Sequence, residues 1–287
     1  MLTTTALIWG STMVAQSMGM DHIGPMTFQM ARSVLGIAFL LPVIYLFDSD
    51  KSQCFKNWTQ PGLWKAGLAC GAVLFVASSL LQIGIIYTTA GKAGFITSTQ
   101  LLLVPILGIF LGKRPSFLVW FCVCIAFVGM YLISCAGVEQ INIGDVLLLI
   151  GAFGFAVQII LIDRLTAGLD GLRANVIQTL VCGVLAAIAM FLTEEPKFDN
   201  LLACWPSVAY AGVLSTGVGY SLQILGQKHV DPTPASLLMS MESVFALLGG
   251  WLLLRERMSG AEILGCVLVF GAVIVSQIPD KRKKAGS

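Results

Sequence analysis

LGKRPS at Leu111–Ser116 and LRERMS at Leu254–Ser259 stand 143 residues apart in a chain of 287. Each ends one long apolar run and opens another, Phe117–Cys135 after the first and Ala261–Ile278 after the second. A motif that returns at half the chain length marks a duplicated unit. Working outward, five apolar segments fall in each half: 2–20, 26–47, 63–87, 93–111 and 117–135, then 143–162, 174–192, 204–225, 235–254 and 261–278. About 20 apolar residues at roughly 1.5 Å rise each cross the hydrocarbon layer as a helix. The segments therefore predict ten membrane-spanning helices. An odd number of spans per copy forces the second copy to enter the membrane from the opposite side. The expected fold is an all-α membrane protein of two inverted five-helix repeats, 1–137 and 138–280, followed by a basic tail, 281–287.

Composition admits little else. The chain is 57% hydrophobic and 11% charged, with a mean hydropathy of +0.88, where a soluble domain carries about 25% charged residues. A soluble globule of this size would still need a polar exterior, yet Ala93–Leu111 holds no charge at all. The long uniform runs do not alternate as the strands of a membrane barrel must. Connections are short, the longest being Asp48–Gly62, so no extramembrane catalytic domain is expected. The net charge is +2, and neither a nucleic-acid motif nor an ATP-binding loop is present. No basic region precedes the first apolar run, as a cleavable signal would require.

Loop charges set an orientation. The side that holds both termini and the loops after spans two, four, six and eight carries twelve lysines and arginines, among them the Lys281–Lys284 cluster; the other side carries four. The termini are expected in the cytoplasm, in the plasma membrane (the inner membrane of a bacterium), and the tail reads as a flank that anchors the last span. The eight cysteines show no CxxC pairing and no histidine at metal spacing. His22 and His229 fall in loops on opposite faces. No metal or cofactor is expected, and the cysteines read as small hydrophobes.

Polar residues inside the spans carry the remaining information. Thr97, Ser98, Thr99 and Gln100 form a layer in the fourth span, and the 143-residue offset maps them onto Ser240, Met241, Glu242 and Ser243 of the ninth. The two spans enter from opposite faces, so the layers converge near the midplane, where inverted-repeat proteins hold their ligands. For a single hydroxyl the plainer reading is a bond between helices, averaging about 0.6 kcal/mol. Two matched layers predict a cavity.

Glu242 is the costliest side chain, because a carboxylate at helix centre costs roughly 2.5–3.5 kcal/mol on the insertion scale. It must be paired, protonated or wet. Arg32 in the second span, one turn after Gln29, is its partner by charge; equally, Arg32 lies near enough to the end of its span to snorkel to the interface. A second correspondence joins Ser78, Ser79 and Gln82 of the third span to Tyr220, Ser221 and Gln223 of the eighth, with Gln82 and Gln223 offset by 141. Trp9, Ser11, Thr12 and Gln16 of the first span and Gln158 of the sixth would complete an aromatic, amide-lined cavity. Tyr87 fits that wall or an interfacial belt. Spans five and ten, nearly free of polar side chains at mid-depth, are expected outside it. Gly67 with Gly71, and Gly108 with Gly112, have the four-residue spacing that lets helices approach closely, and Gly217 and Gly219 should weaken the eighth span.

These stretches, in this order, resemble the drug/metabolite transporter superfamily, in the branch with two EamA-type repeats. The matching residues are Trp9-Gly10-Ser11, Pro25 through Arg32, Thr97–Gln100 and Phe110–Arg114, then Met241–Ala246 and Leu254–Arg257. Lys113 stands where family members often carry glutamate, and Gln100 and Ser243 stand where proline is common, with Pro105 one turn beyond the first. The resemblance implies a transporter, in a family whose substrates range over amino acids, sugars, nucleotide-linked sugars, bases and drugs. Without an ATP-binding loop the transport is expected to be secondary, and export of a small polar metabolite is expected, with protons as a candidate coupling ion. One cation and one anion at depth in an otherwise neutral cavity suit a zwitterion such as an amino acid. The other class left open is a multi-pass membrane enzyme or assembly scaffold. An enzyme would need paired aspartates or a nucleophile with its base, and only Glu242 and Arg32 are charged at depth.

Overall fold

Among the described residues the apolar runs are helical, and segments that continue across a local break join into ten rods. The computed structural model describes residues 1–48, 56–87, 90–113, 115–134, 142–254 and 259–276. Arg114, Arg255–Met258, Cys54, Cys135 and the Lys281–Lys284 tail lie outside the described residues. The first half contains α1 (Leu2–Met20), α2 (Pro25–Phe47), α3 (Leu63–Ile86), α4 (residues 90–110) and α5 (Phe117–Ser134). The second contains α6 (Ile143–Leu165), α7 (Gly171–Thr193), α8 (Trp205–Gln227), α9 (residues 232–254) and α10 (Gly260–Ser276). Six rods, α2, α3, α4, α6, α7 and α8, are long and apolar enough to cross a bilayer, and α5 and α10 are shorter apolar helices. The other two are more polar or interrupted: α1 carries Thr3, Thr4, Thr5, Ser11, Thr12 and Gln16, and α9 breaks at Ser240.

Helix starts depart from the apolar runs because capping residues, not hydropathy, set them. α7 begins at Gly171, where the Asp170 carboxylate accepts from the Leu172 and Arg173 amides at 3.0 and 3.1 Å. α9 begins with Pro232, whose missing N–H costs nothing in a first turn. The exterior is apolar, with Phe110, Phe117, Phe191 and Leu192 at 74–86% exposure, while Thr5, Thr12, Gln82 and Asn175 are fully buried. That reversal of the soluble pattern suits a hydrocarbon surround.

The halves pack reciprocally. α2 lies against α7 and α5 against α10; α3 touches α6 and α7 just as α8 touches α1 and α2. Individual contacts repeat. A Cβ on Gly71 of α3 would lie 2.6 Å from the Gln178 carbonyl oxygen in α7, and one on Gly212 of α8 would lie 2.9 Å from the Arg32 carbonyl oxygen in α2. Gln82 donates to Gln16 Oε1 at 3.4 Å, and Gln223 donates to Gln158 Oε1 at 3.4 Å. Gly71 and Gly212 are 141 residues apart, Arg32 and Gln178 146, Gln16 and Gln158 142. Such exchange of equivalent partners is the mark of a two-fold axis. The equivalent helices α2 and α7 run antiparallel: Thr27 at the start of α2 meets Glu194 at the end of α7, and Asp48 at the end of α2 meets Arg173 at the start of α7. Opposite directions in equivalent helices make the repeat an inverted one.

Three local features refine the expectations. The breaks in α4 and α9 sit at Thr99 and Ser240, not at Pro105, and each of these hydroxyls donates to the carbonyl three residues back, Ile96 at 2.7 Å and Leu237 at 2.8 Å. A side chain that competes for the backbone acceptor in this way bends a helix. The residues Ala211–Gly219 of α8 form a π-helix, which includes the expected weak point at Gly217 and Gly219. Gly108 and Gly112 do not form a packing ridge. Gly112 adopts φ 82°, which ends α4, and among the described residues a Cβ on Gly108 would meet only Lys113, at 3.8 Å. Lys113 itself pairs with Asp163 at 2.7 Å and approaches Asp231 at 3.6 Å, tying the ends of α4 and α6 to the start of α9.

Candidate functional site

The cavity between the halves is built from seven helices. α1 contributes Trp9, Met13 and Gln16, α2 contributes Arg32, α3 contributes Ser78 and Leu81, and α4 contributes Thr97 and Gln100. From the second half come Phe155, Gln158 and Ile159 of α6, Ser215, Tyr220 and Gln223 of α8, and Glu242 of α9. None of these residues belongs to α5 or α10. Those two helices pack on each other through Gly129 and Gly265, beside the apolar cluster of Ala126, Met130 and Val269. The empty space in and around the cavity is about 540 Å³. Much of it is narrow gap between side chains, with room for only a few waters.

Local sequence explains how each wall forms. Trp9, Met13 and Gln16 follow the i, i+4, i+7 stripe of one helical face, and Phe155, Gln158 and Ile159 follow i, i+3, i+4. Trp9 packs on Tyr220 across the two halves, with ring centroids 5.0 Å apart and tilted by 58°. Close approach of α2 to α8 brings Arg32 inward: Gly212 accepts the α2 backbone, and a Cβ there would lie 2.7 Å from Leu35 Cβ. Arg32 is 4% exposed and donates through Nη1 to Gln16 Oε1 at 3.1 Å. It points into the protein and does not snorkel.

Glu242 faces the same cavity. Among the described residues it makes no hydrogen bond or ion pair, so the charge partnership with Arg32 is a shared space and not a salt bridge. Tyr220 lines the same cavity as both groups. Several polar atoms of the wall lack protein partners among the described residues: Trp9 Nε1, Arg32 Nε, Gln158 Nε2, Thr97 Oγ1 and Gln223 Oε1. A buried donor or acceptor left unmade costs about 1–3 kcal/mol. Water or a ligand is what satisfies such a set.

Of the site residues expected from sequence, Trp9, Gln16, Arg32, Gln100, Tyr220, Gln223 and Glu242 line this cavity. Four others do not. Thr99 and Ser240 spend their hydroxyls on their own helices at the two breaks, and Ser243 bonds Ser98 at 3.1 Å where α4 meets α9. Gln82 holds Gln16 without reaching the wall. Tyr87 is 54% exposed, in keeping with an interfacial belt. Met13, Leu81, Phe155, Ile159 and Ser215 were not among the expected residues. Helical spacing from Trp9, Ser78 and Gln158 would have found three of them, Met13, Leu81 and Phe155; an apolar side chain in a membrane helix otherwise looks the same whether it faces lipid or cavity.

Comparison with known proteins agrees with this architecture. The sequence matches the EamA-like transporter family twice, over residues 1–135 and 142–277. It is 30% identical to an uncharacterized transporter of Archaeoglobus fulgidus over 282 residues, which is 96% of this chain and 83% of the relative. The threonine/homoserine exporter RhtA of Salmonella typhimurium is 25% identical over 180 residues, 61% of this chain and 59% of RhtA. A solved crystal structure, 18% identical, superposes with a TM-score of 0.81 over 100% of this chain and 98% of its own, a likeness of fold. Two matching repeats over nearly the whole length place the chain in the EamA-like transporter family, as a multi-pass membrane transporter and not an enzyme.

Proposed function

We propose that the protein is a secondary-active exporter of a small zwitterion such as an amino acid, working by alternating access around the cavity. The observation that carries this reading is that Arg32 and Glu242 face one cavity without bonding each other. A ligand with a carboxylate at one end and an ammonium at the other would complete both. Arg32 Nε and Trp9 Nε1, both donors without protein partners among the described residues, suit the carboxylate, and Glu242 suits the ammonium. A nucleotide sugar or sugar phosphate would call for several cations at depth, and a neutral sugar for neither charge. The amino-acid activity in the name of RhtA, similar over part of the chain, points the same way. The excess of lysine and arginine on one side orients both termini to the cytoplasm.

The test is counterflow in proteoliposomes against amino acids, sugars and nucleobases. An amino acid should exchange, and uptake of a sugar or nucleobase with no amino acid would overturn the reading. Glu242→Gln separates two roles for the carboxylate. If Glu242 holds the ammonium, exchange and gradient-driven flux fall together; if it carries a coupling proton, only the driven flux is lost.

A further inference from the structure

We propose that the two ends of the α2–α7 seam are the two gates of the transporter, each closed by one clasp that joins the halves. Asp48–Arg173 closes the face that carries the termini, and Glu194–Thr27 closes the other. This rests on the alternating-access reading above and adds the residues that alternate.

The clasps are one contact written twice. Asp48 directly follows α2 and Glu194 directly follows α7, 146 residues later. Each carboxylate reaches the third residue of the equivalent helix in the other half, Arg173 or Thr27, and these two are also 146 apart. At the termini face the Arg173 guanidinium binds Asp48 and Asp170, with the Trp58 ring centroid 5.5 Å away. At the other face Glu194 accepts from the Met26 amide at 2.7 Å, the Thr27 amide at 2.9 Å and the Thr27 hydroxyl at 2.6 Å.

Both contacts override local preference. A cation in the first turn of a helix is opposed by the helix dipole, yet Arg173 sits there and is 3% exposed. The Asp48 carboxylate across the seam accounts for its place. Gly24, which precedes α2, offers no side-chain cap, and the first amides of the helix are bonded instead by a carboxylate from the other half. A side chain on residue 24 would collide with that carboxylate.

Between the clasps the helices cross closely, where a Cβ on Gly183 of α7 would lie 2.9 Å from Ser33 Cβ of α2. Arg32, which faces the cavity, adjoins that crossing. A tight crossing in the middle with polar contacts at both ends is the arrangement of a rocker. In a two-fold pair, exchanging the conformations of the halves exchanges the clasps, so the inward- and outward-open states differ in which one is shut. Both are engaged in this structure.

The test reads access to the cavity and needs no substrate. Thr97→Cys, on a background without the native cysteines, is labelled with a membrane-impermeant maleimide from either face of sealed vesicles. Asp48→Asn should raise labelling from the termini face relative to the other by roughly fivefold or more, the usual lower range of such couplings. Glu194→Gln should shift the ratio in the opposite direction, and the double variant should return it towards the parent. Shifts in the same direction, or none, overturn the proposal. Disulfide pairs that hold one gate shut give a second route: T27C with E194C, or D48C with R173C. Each oxidised pair should confine labelling to the far face until reduced, and labelling from both faces with the bridge intact overturns the proposal. Opposite shifts in a protein that moves no amino acid would leave the clasps standing and remove the substrate reading alone.

Discussion

Arg32 of α2 and Gln178 of α7 hold equivalent places in the two halves, and they do different things. Arg32 reaches the cavity, whereas Gln178 turns to its own helix and donates to Asn175 Oδ1 at 2.9 Å. Glu242 of α9 and Thr99 of α4, 143 residues apart, differ in the same way, one at the cavity and the other bonded to its own backbone. Elsewhere the halves agree closely. The Gln82–Gln16 and Gln223–Gln158 pairs have the same donor, acceptor and length, and Gly71 and Gly212 receive the equivalent stretches of the neighbouring helix. The comparison separates two jobs. On the proposed reading, a frame that is nearly symmetric would have two equivalent conformations to move between, and two charges that break the symmetry would give a bound zwitterion a head and a tail.

The largest expected effect falls on the charge that breaks the symmetry. Arg32→Ala should lower amino-acid counterflow roughly 30-fold or more, the scale of losing a buried charged contact worth about 2 kcal/mol. Gln178→Leu at the equivalent place should lower transport by less than about threefold while costing on the order of 1 kcal/mol of stability through its lost hydrogen bond. Equal losses in transport at the two positions would mean that the asymmetry has no bearing on recognition.

A smaller effect tests the boundary between cavity and frame. Gln100→Cys should react with aqueous thiol reagents on a cysteine-free background, and Ser243→Cys, set between α4 and α9, should react far more slowly. Ala126→Cys, fully buried beside the α5–α10 contact, should not react. Comparable labelling at positions 100 and 126 would contradict the assignment of α5 and α10 to a dry periphery.

Much of this was legible in the sequence, because a membrane leaves the chain few options. Long apolar runs with charges at their ends can only be helices, and the LGKRPS–LRERMS spacing fixes the duplication. The α2–α7 clasps were missed for a physical reason. Asp48 and Glu194 sit in loops, where a carboxylate next to water carries no cost that would mark it out, and the partners lie more than a hundred residues away. The polar layers of α4 and α9 were found, yet hydroxyls can bond outward to a ligand or back to their own helix, and spacing does not distinguish the two. Thr99 and Ser240 took the second course and became the helix breaks. Glu242 and Arg32 stood out because the cost of a charge at depth is large whatever surrounds it.

The central claim is that Arg32 and Glu242 hold opposite ends of one zwitterion, and a cycle that pairs protein changes with ligand changes tests it directly. An amino acid that exchanges in counterflow, its amide without the carboxylate charge and its N-acetyl form without the ammonium would be measured for binding to the purified parent, Arg32→Ala and Glu242→Gln. The account predicts that Arg32→Ala and loss of the carboxylate are not additive, each removing the same contact, and that Glu242→Gln and loss of the ammonium behave likewise. The crossed combinations should add. Additive losses in all four combinations would mean that neither charge touches the ligand, and the claim would fail.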